Sequence, residues 1–464
     1  MYDLCFGATR HALLGSYDRA AVRSGTSPMG ELTGLELAAA ERPSPPPDRI
    51  RALQRLGVFC GIAAGAWLGA AEAPAKLVSA GLSPFVISFL MVVGVFIGRW
   101  SLPAVARGTA GIGTDIRKAP HLVIWAIIAG CLWSVANTLT IFAIRDLGLS
   151  IAFPLWNTNA LIGILWGVLF FQELKDAGRK KWITVLGGTL LMFIGGIVLT
   201  RVTASQISSQ AATKGIVAAL GAGVLWGTMY IPYRKAYLSG MNPMSFVSFF
   251  TVGELGMMTA LAVRYLGGFT ELWRQIAAVR HLQFWLLAAG FVWVIGDIFQ
   301  QYAVKYIGVS RGIPLSNSNQ LWGLLWGAVA FGEFRGWGHS AVVAAIYGSI
   351  LMALGMAAIS FSTANQSEHG KWREAAEREQ RRYAIDAQFV SSAMEGRASH
   401  TVPSRRWWDG LLVVVATGLF VWTASGSRLP AIALHWQAVC GLVVIGLALL
   451  ASATVYLWKL TRFN

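Results

Sequence analysis

The sequence predicts an all-α integral membrane protein: a ten-helix bundle of two inverted five-helix repeats plus two extra C-terminal transmembrane helices. Three observations lead there. Of 464 residues, 55% are hydrophobic and only 13% are charged, where a soluble chain carries roughly 25% charge. Apolar windows of about 20 residues, the length that crosses a hydrocarbon core, recur along the chain. The chain also contains itself twice: sliding it by 160 residues lays His121–Glu173 on His281–Glu333 without a gap, with 20 of 53 positions identical.

In chain order, residues 1–53 lack an apolar core of signal-peptide length and end in RPSPPPDR at Arg42–Arg49, so a disordered tail is expected. The first repeat, 54–201, holds windows at 54–73, 84–104, 121–142, 150–171 and 181–200. The second, 214–361, holds windows at 214–233, 243–263, 282–304, 310–331 and 340–361. Residues 362–406 are charged and partly helical in pattern, as a cytoplasmic linker or amphipathic helix would be. Two more spans follow near 407–424 and 432–458, within 407–460. Five spans per copy is an odd number, so the second copy enters the membrane from the opposite side. A pseudo-two-fold axis in the membrane plane then relates the copies, which is the physical basis of alternating access around one central site. The first, third, fourth, sixth, eighth and ninth spans are expected to line that site.

The formal charge of +16 raises nucleic-acid binding, but its placement excludes it. Arg99, Arg107, Arg117 and Lys118, then Lys175, Arg179, Lys180 and Lys181, read as short loops sharing one side, and 362–406 adds more. The positive-inside rule makes that side, and the N-terminus, cytoplasmic in a cell inner membrane. Arg264, Arg274 and Arg280 fall on the opposite side. The four cysteines (Cys5, Cys60, Cys131, Cys440) have no metal or redox spacing. No phosphate-cradling loop, nucleophile elbow or metal-spaced cluster is present, so no enzyme activity, metal or cofactor is expected. The expected partners are a small-molecule substrate and the lipid bilayer, with room for a homodimer.

The phrase PLWNTN at Pro154–Asn159 returns as PLSNSN at Pro314–Asn319, and each is followed by an apolar run ending in FQE or FGE. With these fourth and ninth spans in a five-plus-five inverted repeat, the chain resembles the drug/metabolite transporter superfamily. It looks most like the glucose/ribose porter branch, whose second half carries a phrase similar to GIPLS…NQLWGLLWG, here Gly312–Gly327. The resemblance covers about residues 54–361. It implies a secondary transporter moving a monosaccharide or similar polyhydroxy solute, with a proton as coupling ion. The alternative is an exporter of amino acids, metabolites or drugs from another branch.

Asparagine inside an apolar span needs partners for its donors and acceptors. Asn157 and Asn159, two apart, fall on nearly opposite faces of an ideal helix. Either the backbone after the proline is unwound, or one amide faces the cavity while the other ties helices together. Amides both donate to and accept from sugar hydroxyls, so Asn157, Asn159, Asn317, Asn319, Gln320 and Gln301 are candidate substrate ligands. Trp166, Trp322 and Trp326 join them, because an indole face can stack on a sugar ring. Carboxylates within spans are expensive, which makes Asp297, Glu254 and Glu72 the candidates for proton coupling. Asp297 leads, since its counterpart in the first copy is Asn137 and Gln301 lies one turn away. Glu173 and Glu333 close their spans and read as solvated or paired interface residues, while Lys76 and Arg234 either neutralise an acid at a gate or snorkel to headgroups.

Overall fold

A backbone in lipid has to satisfy its own N–H and C=O groups, which restricts apolar runs of this kind to helices. The computed structural model describes residues 47–71, 82–147, 152, 155–175, 177–200, 209–332, 338–362, 364–397, 405–428 and 434–463, and no strand occurs among them. The first five-span set comprises α1 (Pro47–Ala70), α2 (Pro84–Ala106), the short α3 (Ala110–Lys118), α4 (His121–Leu147), α5 (Asn159–Phe171) and α6 (Arg179–Thr200). The second comprises α7 (Ser209–Leu238), α8 (Pro243–Leu266), the short α9 (Phe269–Ala278), α10 (Gln283–Ile307), α11 (Val309–Ser316), α12 (Asn319–Leu325) and α13 (His339–Phe361). Two helices, α14 (Gln366–Tyr383) and α15 (Ala387–Met394), lead to a C-terminal pair, α16 (Trp407–Ser425) and α17 (Trp436–Thr461). Among the described residues ten helices are long and apolar enough to cross a membrane. The protein is a multi-pass membrane protein.

Local chemistry sets the boundaries. Pro84 and Pro243 open α2 and α8 at the first helical position, where a missing N–H costs nothing. Asn242 caps α8 by accepting from Met244 N at 2.9 Å. The first span begins at Pro47, earlier than position 54, because that proline starts the helix inside the stretch read as tail. The windows at 150–171 and 310–331 are not continuous helices. Asn157–Thr158 and Asn317–Ser318 are turns, with α5 and α12 starting at Asn159 and Asn319.

The interior contacts recur in both copies. A Cβ on Gly94 of α2 or Gly290 of α10 would sit 2.1 or 2.0 Å from the carbonyl oxygen of Leu287 or Met91 respectively. Gly130 of α4 and Gly253 of α8 meet the carbonyls of Phe250 and Ile127 in the same way. Backbones approach this closely only where the side chain is absent, and the dispersion gained holds helices together in a solvent as apolar as they are. Helices α6 and α13 pair alongside, Gly195 against the Gly348 carbonyl.

The segment read as a linker is docked on the bundle. Asn365 and Glu368 form a capping box that starts α14. The Glu368 carboxylate is fully buried, 2.9 and 3.1 Å from Arg311 Nη2 and 3.8 Å from Lys181 Nζ. Trp372 lies beneath the Arg234 guanidinium at 4.4 Å, and Lys235 pairs with Glu379 at 2.7 Å. Gln54 of α1 donates to the Ala364 carbonyl and the His369 ring, both at 2.7 Å, while Tyr383 stacks on His121 of α4. Residues 364–383 thus bridge helices of both copies at the cationic end. Helix α16 packs on α2 and α10, where Asp409 accepts from Thr109 N at 2.9 Å. Helix α17 returns, and the Phe463 carbonyl accepts from Asn242 Nδ2 at 2.6 Å and the Tyr302 hydroxyl at 2.9 Å.

Candidate functional site

The two helix breaks cross. In each copy the turn uses the same main-chain bonds: Thr158 N to Leu155 O and Ala160 N to Asn157 O, then Ser318 N to Leu315 O and Gln320 N to Asn317 O. The breaks are seated by glycines, Gly223 on α7 beside Thr158 and Gly65 on α1 beside Ser318, where a Cβ would collide with the hydroxyl. Asn317 Nδ2 donates to Asn159 Oδ1 at 2.9 Å and to the Asn157 carbonyl at 3.4 Å. Asn159 Nδ2 in turn donates to the Tyr230 hydroxyl at 3.4 Å. Both alternatives read from the sequence therefore hold together: the backbone is unwound, and the amides tie one break to the other.

Beside this crossing lies a small cavity of about 20 Å³, the room of a single water. Asn157, Asn317, Gln320 and Thr189 supply its polar lining, with Met192, Phe193 and Met352 among the apolar part. Gln320 reaches it over Gly196 of α6, where a Cβ would lie 2.6 Å from the amide oxygen. The lining comes from the fourth, fifth, ninth and tenth spans. The fifth and tenth thus replace the first, third, sixth and eighth of the sequence expectation, because α6 and α13 pack as a pair across the broken helices. The candidate tryptophans are elsewhere. Trp166 donates its indole N–H to Thr228 at 3.2 Å, and half-buried Trp322 and Trp326 are outside the cavity lining. Asn319 lies at the start of α12, its Oδ1 buried without a hydrogen-bond partner.

A second constellation lies deeper among α2, α7, α8 and α10. Arg99, read as a loop residue, is instead inside α2 and fully buried. The apolar run on both sides of it carries the helix onward, so the cation is held in the interior and not at a headgroup. Its Nη1 is 3.0 Å from Glu254 Oε2 and its Nη2 is 2.8 Å from Asp297 Oδ2, both carboxylates also at 0% exposure. The guanidinium lies 4.2 Å from the Phe250 ring centroid. Asp297 Oδ1 accepts from Gln301 Nε2 at 2.8 Å, and the Tyr237 hydroxyl donates to Gln301 Oε1. Gln301 thus orients a carboxylate and does not line the cavity. Tyr230, Tyr233 and Tyr237, spaced along one face of α7, run from the amide crossing to this cluster. Sequence reasoning missed Arg99 and this tyrosine face. The signal for Arg99 was present: a lone arginine inside VGVFIGRWSL, well within a span window.

A third contact closes the cationic end. Glu173, read as a solvated or paired span-end residue, is fully buried and paired; it accepts from Val309 N at 3.1 Å and Ser310 N at 2.8 Å, the first amides of α11. Unpaired amides and the helix dipole make such an N-terminus a seat for a carboxylate. Gly308 permits the approach, since its φ of +83° and the carboxyl 2.8 Å from a virtual Cβ both exclude a side chain. Of the two readings of Arg234, neutralising an acid and snorkelling, the structure shows the first: it pairs with Glu173 at 3.0 Å and is 1% exposed. Glu72, Lys76, Pro154 and Glu333 lie outside the described residues.

The profile of the sugar transport protein family matches residues 89–203 and 217–393. A protein of Listeria innocua, whose name assigns it provisionally to sugar uptake, is 24% identical over 234 residues, covering 50% of this chain and 76% of that one. A similarly named Listeria monocytogenes protein matches to the same extent. Transmembrane protein 144 homolog A of Dictyostelium discoideum is 29% identical over 151 residues, 31% of this chain and 38% of that one. The family match takes in the amide crossing, the Arg99 cluster and α14, and extends over well more than half the residues. The chain belongs to the sugar transport protein family.

Proposed function

We propose that this chain is a secondary transporter that moves a monosaccharide or similar polyhydroxy solute across the inner membrane by alternating access, with a proton as coupling ion and a cytoplasmic N-terminus. The observation that carries this is the crossing of two broken helices, whose amides converge on the cavity. Broken helices at the repeat interface are where carriers of inverted design bind cargo, because the opened backbone and its side chains offer hydrogen bonds that a closed helix cannot. Three amides and a threonine hydroxyl match hydroxyl groups in both donor and acceptor sense. The exporter alternative calls for an apolar pocket with one carboxylate, and no carboxylate lines this cavity.

At one water's volume the cavity is too small for a sugar ring, so α5 and α6 have to part from α11, α12 and α13 to admit one. The docked α14 and the Glu173–Arg234 pair hold the cationic end shut, and opening there breaks both. Lipid, small-molecule cargo and a dimer compatible with the exposed apolar faces complete this reading; nucleic acid has no part in it. Its test is a thermal-shift screen of the purified protein against sugars, polyols, amino acids and nucleosides. Stabilisation confined to sugars or polyols supports the reading, and stabilisation by amino acids or nucleosides alone removes it.

A further inference from the structure

The Arg99 cluster is unbalanced. Two carboxylates share one guanidinium, and all three side chains are at 0% exposure, so with both acids ionised the interior carries one net negative charge. An uncompensated buried charge is far more expensive than a paired one. The cheapest remedy is a proton on one acid.

The hydrogen bonds indicate which acid. Asp297 is occupied on both oxygens, Oδ2 by Arg99 and Oδ1 by Gln301, whose amide is fixed in that sense by Tyr237 on its own oxygen. A carboxylate that accepts on both sides is held in its charged form. Glu254 uses only Oε2, toward Arg99, and its Oε1 is buried without a hydrogen-bond partner. The Thr251 hydroxyl faces it from one turn back on α8, and Thr251 Oγ1 also lacks a partner. The Thr251 hydroxyl can donate to an ionised Oε1 or accept from a protonated one, whereas both Asp297 oxygens already accept from fixed donors, so a proton there would displace one of them. The other groups around Glu254 are Arg99 from α2, Asp297 from α10 and Tyr233 from α7, with Ser134 of α4 donating to the Glu254 carbonyl at 2.7 Å. The Tyr233 hydroxyl is likewise buried without a hydrogen-bond partner.

We propose that Glu254 carries the coupling proton on Oε1, with Arg99 and Asp297 as its standing ion pair; this rests on the proton-coupled sugar carrier proposed above. The proton enters from water on the side where protons are abundant, neutralises the site while the helices rearrange, and leaves to water on the other side. Sodium fits poorly, because the guanidinium already fills the space between the carboxylates.

The test uses the full-length protein in proteoliposomes, with labelled D-glucose and D-ribose as probes. Glu254→Gln, which mimics the protonated acid, is expected to keep sugar exchange and to lose accumulation driven by a pH gradient. Asp297→Asn leaves Arg99 half-paired and is expected to impair exchange itself. Accumulation retained in Glu254→Gln, or driven by sodium in the wild type, overturns the proposal. A second readout needs no sugar: infrared difference spectra should show the carbonyl stretch of a protonated carboxylic acid in the wild type, shifted by carbon-13 labelling of glutamate and not of aspartate, and lost in Glu254→Gln. A band that persists in Glu254→Gln overturns the assignment. Absence of sugar exchange in the wild type defeats the functional reading alone, since the infrared band still tests Glu254.

Discussion

Asn317, the first residue of the second helix break, donates its side-chain amide at 2.9 Å to Asn159, the first residue after the first break. The bond joins the two places where the transmembrane backbone is interrupted. It is worth about 0.6–2 kcal/mol by the measure of interhelical amide bonds. A double-mutant cycle with Asn159→Ala and Asn317→Ala, read by thermal unfolding in detergent, should return a coupling energy in that range. Additive losses would show that the amides do not act on one another.

Arg99 is a buried cation with two buried acceptors, so truncating it leaves two carboxylates in apolar surroundings. Arg99→Met should destabilise the protein by about 3–5 kcal/mol, the range for breaking a buried pair by removing one partner. Arg99→Lys should recover only part of this, since a single ammonium lacks the fork that reaches both acids. Unfolding temperatures of the two variants check the order.

Helix α14 spans both copies, so locking it down should stop opening at the cationic end. Lys235 and Glu379, in contact at 2.7 Å, suit cysteine replacement and a short thiol cross-linker. Transport should cease in Lys235→Cys/Glu379→Cys when cross-linked and return on reduction. Unchanged transport at complete cross-linking would contradict the end-cap role.

His369 lies outside the membrane-spanning segments, and its pKa is lowered from 6.5 to about 4, first by burial and then by Arg234, Arg311, Arg373 and Lys181. Gln54 spends its two amide hydrogens on the Ala364 carbonyl and the ring, so the ring nitrogen facing it accepts and is unprotonated. A group whose pKa is depressed on folding contributes stability that is present above its unfolded value and lost as the pH falls toward its folded value. The wild type should therefore lose about 3 kcal/mol relative to His369→Gln between pH 6.5 and 4. Unfolding temperatures across that window make the comparison.

Much of this was legible in the sequence, because lipid leaves so few options. The all-helical spans, the helix breaks and the buried acids Asp297 and Glu254 followed from hydropathy, self-similarity and the cost of polar groups. Position along a span was harder to read. Arg99 sits where a loop cation would sit if the second helix stopped a turn earlier, and only packing against α8 and α10 reveals it as interior. The alternatives for Glu173 and Arg234 stayed open for a related reason: span-end charges are normally solvated, and the docked α14 that covers this end comes from far along the chain. The cavity lining was misassigned because hydropathy does not encode which helices neighbour one another.

The central claim is that the crossed amides handle sugar, and counterflow of labelled D-glucose and D-ribose in proteoliposomes tests it most directly. The account predicts saturable exchange by the wild type, and in Asn317→Ala and Gln320→Ala a fall of about tenfold or more for each lost bond to substrate, with folding retained. Wild-type protein that exchanges neither sugar, or amide variants that exchange sugar as well as the wild type does, would contradict it.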